Sequence, residues 1–328
     1  MPEATVLEGD ALQVLRTLPT AHYHAIVTSP PYWRLRDYEV EGQIGQERSL
    51  GLYVGKLVEL FREARRVLRP DGCLWVNLGD TYQEKQLLGV PWRTAFALQA
   101  DGWYLRSECI WEKPNATPES VVDRPSRSHE HIFQFAQSRK YFWDYVGVLE
   151  PNQSKRPTGK ILADGRTNGR VHTGRWARNH DKRGEVHGGF RAWNPRGRRR
   201  RTVWKVPSSC FKPEALGIET DGADHFAIYP SGLIETCLKA AGAEGGCCPQ
   251  CGAPQKRVVA NWEEIEDVFV PTCACPPFEP VPCRVLDPFG GSGTTAVAAL
   301  ELGMEPTLIE LNPNYAQLAR ARIRKVDM

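Results

Sequence analysis

The chain has 328 residues, a quarter of them charged, and a formal net charge of only +3. That length suits one large α/β domain with insertions, or two domains, with a substantial core. No apolar run approaches the ~20 residues of a membrane span. The start, Met1-Pro2-Glu3-Ala4, lacks the basic and apolar segments of a secretion signal. A cytoplasmic protein without a membrane partner is expected, so the ten cysteines need a purpose other than disulfides.

In chain order, Thr5-Val6-Leu7 predicts a strand leading into Gly9-Asp10, and Leu12, Leu15 and Leu18 predict a helix ended by Pro19. The next strand, Ala25-Ile26-Val27, runs into Thr28-Ser29-Pro30-Pro31-Tyr32-Trp33. Neither proline can donate to a sheet ladder, and the first restricts the residue before it, so the chain leaves the sheet in a fixed shape. A hydroxyl (Ser29), a backbone carbonyl (Pro30) and an aromatic face (Tyr32) then share one strand end. Such a trio can hold a planar base with an exocyclic amine; a plain proline turn with a core tyrosine is the alternative.

Residues 34–50 predict a mobile polar loop over this site. Tyr53, Leu57, Leu60, Phe61, Ala64 and Leu68 mark one face of a helix stopped by Pro70-Asp71-Gly72. A strand over Cys73–Asn77, a helix over 90–100 and a strand over Trp103–Trp111 follow. His131–Phe135 and Tyr141–Trp143 read as a closing pair. The alternation predicts an α/β fold with a mostly parallel sheet and helices on both faces.

From Lys155 to Arg201 there are 15 Lys/Arg against three acids, a local charge of +12 that leaves −9 on the rest. Such a segment buries too little apolar surface to fold alone. It is either a basic linker or a DNA-binding insert, and its localised charge, ending in Arg198, Arg199, Arg200 and Arg201, favours DNA. Order resumes at Thr202-Val203-Trp204, and Ser231–Ala241 predicts a helix entered from Pro230. Cys248 and Cys251 form a C-x-x-C pair, followed after 21 residues by Cys273 and Cys275. Four thiolates suit structural zinc, with Cys247 and Cys283 as substitute ligands; free reduced thiols are the alternative.

The strand Val285-Leu286 ends in Asp287-Pro288-Phe289-Gly290-Gly291-Ser292-Gly293-Thr294-Thr295, ahead of a helix over Ala296–Leu302. A second strand, Pro306–Ile309, delivers Glu310. Glycines at a helix N-terminus with a carboxylate about 20 residues on suit a nucleotide and its ribose hydroxyls. Gly291 through Ala296 also fits the G-x-G-x-x-A dinucleotide pattern, which by itself leaves a nicotinamide enzyme open.

Thr28–Trp33 together with Asp287–Thr295 resembles the amino-methyltransferases that act on DNA bases with S-adenosylmethionine. Their order resembles that family's circularly permuted beta group, and the likeness covers most of the chain. Gly9-Asp10, Tyr229-Pro230 through Leu238, and Arg127 through Asp144 with His129-Glu130-His131 resemble further family motifs. The resemblance implies a Rossmann-like methyltransferase fold: a catalytic half at 1–150, a basic target-recognition insert at 151–205, and a cofactor-binding half at 206–328. A small zinc-ribbon-like insert at 246–284 lies outside the shared core.

It further implies Ser29, Pro30, Pro31 and Tyr32 as catalytic, and Asp10, Thr28, Asp287, Phe289, Gly291, Ser292, Gly293, Thr294 and Glu310 as cofactor-binding. Among these, Asp10 would contact the adenine and Asp287 the ammonium of the cofactor. The implied partners are double-stranded DNA and a cognate restriction endonuclease. Serine at the first position of the proline motif goes mostly with cytosine N4 in that family, and Asp or Asn there with adenine N6. A neutral hydroxyl avoids setting a carboxylate against cytosine's ring acceptors. The readings carried forward are a cytosine-N4 enzyme, an adenine-N6 enzyme, and a non-catalytic DNA-binding protein that keeps a cofactor pocket.

Overall fold

The computed structural model describes residues 2–152, 196–211, 226–259 and 267–326. The elements are β1 (Thr5–Glu8), α1 (Ala11–Thr17), β2 (Tyr23–Thr28), α2 (Leu50–Val67), β3 (Leu68–Leu78), β4 (Tyr82–Gln83), β5 (Gln86–Leu87), α3 (Val90–Ala100), β6 (Tyr104–Glu112) and β7 (His129–Ala136). The second half carries β8 (Val203–Lys205), β9 (Ser209–Phe211), β10 (Phe226–Ile228), α4 (Ser231–Ala241), β11 (Lys256–Val258), β12 (Val268–Val270), β13 (Arg284–Asp287), α5 (Thr294–Glu301), β14 (Glu305–Glu310) and α6 (Pro313–Val326).

Eight strands form the central sheet in the order β1-β14-β13-β2-β3-β7-β6-β8. From β1 to β3 every neighbouring pair is parallel. Strand β7 runs antiparallel to both β3 and β6, and β8 closes the edge parallel to β6. The last two strands of the chain therefore sit inside the sheet, between β1 and β2. This places the C-terminal ends of β14, β13, β2 and β3 side by side. Because β7 is reversed, its beginning lies at that same edge, with His131 opposite Leu78.

Alternate residues of each buried strand serve opposite faces, the period of two expected of a pleated strand. Ile26, Leu74, Val76, Leu286 and Ile309 meet α1, α2 and α3 on one side. Ala25, Val27, Trp75 and Val285 meet α4 and α5 on the other. Helix α2 starts where Ser49 accepts from the Leu52 N–H and buries Tyr53, Leu57, Leu60, Phe61, Ala64 and Val67. Burying each large apolar member is worth about 1.5–3 kcal/mol of transfer free energy.

Two expectations need correction. Pro70-Asp71-Gly72 does not stop α2, which ends at Val67; it is an irregularity inside β3, where pairing jumps from Tyr23–Leu68 to Ala25–Cys73. A Cβ at Gly72 would sit 2.8 Å from the His24 carbonyl, so the close approach of β2 demands glycine. Tyr141–Trp143 is not a strand: β7 finds its partners in β3 and β6 instead. Val203–Lys205, the last residues assigned to the basic insert, form the edge strand of the main sheet. Most of the basic segment, 153–195, lies outside the described residues. Among the described residues no helix is long and apolar enough to cross a membrane.

Candidate active site

The two sequence motifs meet at Asp287, the last residue of β13. Its side chain is fully buried, yet four donors converge on it. Thr28 Oγ1 donates to Oδ1 at 2.6 Å and the Phe289 N–H to the same oxygen at 3.0 Å. Tyr229 Oη and Thr295 Oγ1 donate to Oδ2 at 2.8 and 2.6 Å. Burial raises the carboxyl's pKa, and Thr28, Thr295 and Tyr229 oppose that rise by stabilising the anion. With both oxygens engaged, Asp287 and Thr28 clamp β2 to β13 and the start of α5. Tyr229, ahead of α4, joins this clamp although sequence reasoning assigned it no site role.

Beyond β13 the chain turns through Gly291 (φ 51°) and Gly293 (φ 84°), left-handed conformations that favour glycine. A Cβ at Gly293 would press within 3.0 Å of the Ala319 Cβ on α6, whereas one at Gly291 meets only the Phe289 carbonyl at 3.9 Å. The loop is thus packed behind Gly293 and open above Gly291. Glu310, at the end of β14, accepts from the Gly291 N–H at 2.7 Å and the Asn312 N–H at 2.8 Å. Its pKa is raised by burial. Asp10 caps α1 by accepting from the Gln13 N–H at 2.9 Å, beside the Gly9 N–H that donates to the Glu310 carbonyl. Ser292 and Thr294 turn the other way: Arg322 of α6 donates to their side-chain oxygens at 2.7 and 3.1 Å. Those two hydroxyls hold the loop to α6 and do not face the open side.

The proline motif leaves β2 beside this loop. Tyr53 Oη donates to the Pro31 carbonyl at 2.9 Å, and Trp33 Nε1 to the Glu47 carbonyl at 3.0 Å. The polar stretch after it is tied down as well, the Arg34 N–H bonding the Gly45 carbonyl at 2.7 Å. Its Tyr38 ring meets Tyr315 edge-on at 6.1 Å. Tyr32 is packed so closely on Gly79 that a Cβ there would lie 2.5 Å from the ring. Its hydroxyl donates to Glu130 Oε2 at 2.6 Å, accepts from Asn77 Nδ2 at 2.8 Å, and lies 3.2 Å from Ser29 Oγ. Burial first, and the Glu130 charge second, push the Tyr32 pKa well above the usual phenol value. Glu130 in turn pairs with Lys113. Asn77, Lys113 and Glu130 were missed as site residues by sequence reasoning. Their one signal was the carboxylate in His129-Glu130-His131.

The DNA methylase family profile matches residues 23–248 and 284–321, well over half of the chain. The chain belongs to the N6/N4 DNA methylase family. Two curated relatives extend the likeness over nearly the whole length. The type II methyltransferase M.Cfr9I of Citrobacter freundii is 37% identical, covering 99% of this chain and 89% of its own. M.SmaI of Serratia marcescens is 34% identical, covering 97% and 90%. Among solved structures, the PvuII DNA methyltransferase, described as cytosine-N4-specific, shares the fold at a TM-score of 0.60 and 16% identity, covering 99% of this chain and 92% of its own. A DNA modification methylase of Thermus thermophilus shares it at 0.54 and 22%, covering 98% and 95%.

In this methylase the Sγ atoms of Cys248, Cys251, Cys273 and Cys275 all lie within 4.8 Å of one another. The first pair forms a tight knuckle: the Gly252 N–H reaches the Cys248 carbonyl at 2.8 Å, with Gly252 at φ 69°. Four sulfurs so gathered fit a tetrahedral Zn²⁺ with its ~2.3 Å sulfur bonds. His24 Nε2 donates to the Gly252 carbonyl at 2.9 Å while its Nδ1 accepts from the Arg284 N–H at 3.0 Å. Arg69 holds the Cys251 carbonyl at 2.9 Å. The knuckle is thereby fastened to the starts of β2 and β13, whose other ends carry the site. Cys247 and Cys283 lie near His24, but both ring nitrogens of that histidine are already bonded.

The four arginines proposed for DNA differ among themselves. Arg198 and Arg201 both pair with Glu150, at 2.8 and 3.2 Å. Arg200 donates to the Val148 carbonyl at 3.2 Å and lies over the Trp204 ring. Arg199 is exposed. The segment that ends the basic stretch is thus stitched onto the methylase core, with Arg199, Arg200 and Arg201 still exposed to solvent.

Proposed function

We propose that this methylase transfers a methyl group from S-adenosylmethionine to N4 of cytosine in duplex DNA. The observation that carries the reading is that Ser29 and Pro30 directly follow β2, the Gly291 loop follows the adjacent β13, and Glu310 ends the next strand, β14. Bound S-adenosylmethionine would supply an electrophilic methyl. Glu310 would accept from its ribose hydroxyls, Asp10 would approach its adenine, and Phe289, Gly291 and Gly293 would line its methionine end. The open side of Gly291 fits such a ligand, since nothing but a carbonyl at 3.9 Å fills that space.

The amine of cytosine is a poor nucleophile because its lone pair is delocalised into the ring. Ser29 Oγ and the Pro30 carbonyl would accept its two hydrogens and favour tetrahedral geometry, with positioning supplying much of the acceleration. The Tyr32 ring, its hydroxyl anchored by Glu130 and Asn77, would stack on the extruded base. A hydroxyl rather than a carboxylate at position 29 favours cytosine, and the named specificity of the PvuII enzyme agrees with that choice. The chain order, base motif first and cofactor loop last, fits a circularly permuted member of the family. The four-cysteine cluster would hold one structural zinc as a small ribbon. The relatives' names as type II methyltransferases support a cognate restriction endonuclease as partner.

Duplex DNA of diverse sequence, incubated with the protein and S-adenosylmethionine, digested and weighed as nucleosides, tests the reading. N4-methylcytosine is expected. N6-methyladenine would overturn the base assignment, and 5-methylcytosine the mechanism.

A further inference from the structure

Methyl transfer to an exocyclic amine leaves the nitrogen with one proton too many, and that proton needs an acceptor. A hydrogen-bonded line leads from the amine's expected position to a carboxylate. Ser29 Oγ lies 3.2 Å from Tyr32 Oη, and Tyr32 donates its only proton to Glu130 Oε2 at 2.6 Å. In the contact between the two hydroxyls, serine must therefore be the donor. Asn77 Nδ2 makes a long 3.5 Å contact to the serine oxygen, which leaves a lone pair for one amine hydrogen, the role an acceptor at position 29 requires.

The carboxylate at the end of the line is held from both sides. Lys113 pairs with Glu130 Oε1, and its ammonium also sits 4.4 Å over the Trp111 ring. Asn77 Nδ2 donates to Glu130 Oε2 at 2.7 Å and to Tyr32 Oη at 2.8 Å, which fixes the amide orientation, because its oxygen would repel the carboxylate. Asn77 is itself only 5% exposed. Glu130 and Lys113 are mostly covered too, with 14% and 22% of their side chains exposed. An ion pair this sheltered, tied to the reacting serine by two hydroxyl contacts, is more than a surface decoration.

We propose that Ser29, Tyr32 and Glu130 form the proton exit of the transfer, with Lys113 and Asn77 as positioning residues for Glu130. The inference rests on the amine-methylating reading above. As the nitrogen–methyl bond forms and the methyl–sulfur bond breaks, the electron pair of the broken bond stays on sulfur. The surplus proton passes from nitrogen to Ser29 Oγ, serine's own proton to Tyr32 Oη, and tyrosine's to Glu130 Oε2. The amine ends neutral and Glu130 ends as a carboxylic acid, which returns its proton to solvent before the next cycle. The phenol of Tyr32, whose pKa is pushed up by burial and the Glu130 charge, relays the proton without standing as a phenolate.

Glu130→Gln keeps the shape and removes the acceptor. It is expected to lower kcat by about 10²-fold, the low end for general acid–base steps, with cofactor Kd and DNA KM essentially unchanged. Tyr32→Phe keeps the ring and the Lys113–Glu130 pair, and should lower kcat similarly. The double variant should be no slower than the worse single one, because both cut the same line. Glu130→Asp should recover part of the loss. A folded Glu130→Gln or Tyr32→Phe protein with wild-type kcat overturns the exit, as does a double variant whose losses multiply. Where Glu130→Gln fails to fold, Tyr32→Phe alone decides. Wild-type protein that makes no N-methylated base overturns this proposal together with the reading beneath it. Methylating wild type with unaffected variants overturns this proposal alone.

Discussion

Thr28 Oγ1 and Asp287 Oδ1 meet at 2.6 Å although 259 positions separate them in the chain. The bond ties the strand that presents the proline motif to the strand that presents the glycine loop. Thr28→Val keeps the volume and removes the donor, leaving a buried carboxylate oxygen less satisfied. A loss of about 1–3 kcal/mol in unfolding free energy is expected. Burial already raises the Asp287 pKa in the folded state, so its contribution to stability falls as pH rises through that folded value. Removing a donor that stabilises the anion deepens the fall. The Thr28→Val deficit should therefore be larger near neutral pH than below the ordinary Asp value of about 3.9. Denaturant melts at the two pH values check this, and a pH-independent deficit would refute the assignment.

Glu310 offers a second pH dependence. Its pKa is raised by burial, and accepting ribose hydroxyls requires the ionised form. Affinity for S-adenosylmethionine should weaken on acidification, starting above the ordinary carboxylate range. Glu310→Gln should bind more weakly by about 1.5–3 kcal/mol, the worth of hydrogen bonds to a charged group, and should lose that pH dependence. Calorimetric titration across pH measures both, and a Gln variant with wild-type affinity would remove Glu310 from the pocket.

The thiol cluster predicts metal content. Protein kept reduced and purified without chelator should carry about one zinc per chain. Cys248→Ser or Cys273→Ser should lower the zinc and the melting temperature together, since binding a structural metal is folding free energy. Because His24 and Arg69 grip the knuckle carbonyls, the damage should reach the main sheet. Protein with no zinc by elemental analysis, at unaltered stability, would leave the cysteines as free thiols.

Arg198 and Arg199 should separate stability from DNA binding. Arg199→Ala, at an exposed position, should flatten the log–log salt dependence of DNA affinity by ~0.9 if it meets one phosphate, with melting unchanged. Arg198→Ala removes an ion pair to Glu150 and should lower the melting temperature instead. The reverse pattern would show that Arg198 is the DNA contact.

Much of this protein was legible in one dimension because its signals are local. Two prolines after a short apolar strand at Thr28–Trp33, glycines before a helix at Gly290–Gly293, and apolar spacing along α2 each act within a few residues of themselves. The α/β class, the two motif loops and the helices α2, α3, α4 and α5 follow from such patterns. The grouping of the four cysteines was also suggested by spacing, and the structure gathers their sulfurs.

What the tertiary structure alone decided is where side chains point and which distant residues share an edge. Ser292 and Thr294 stand in the glycine loop, yet their hydroxyls serve Arg322, because the helix start turns them toward α6. Asp287 gathers four internal donors from β2, the glycine loop, α5 and the residue ahead of α4, a convergence that no local pattern announces. Glu130 reaches Tyr32 only because β7 runs backwards beside β3 and brings its first residues to the ends of the parallel strands. Strand direction is settled by pairing between segments far apart in the chain, and no local pattern in either segment encodes it.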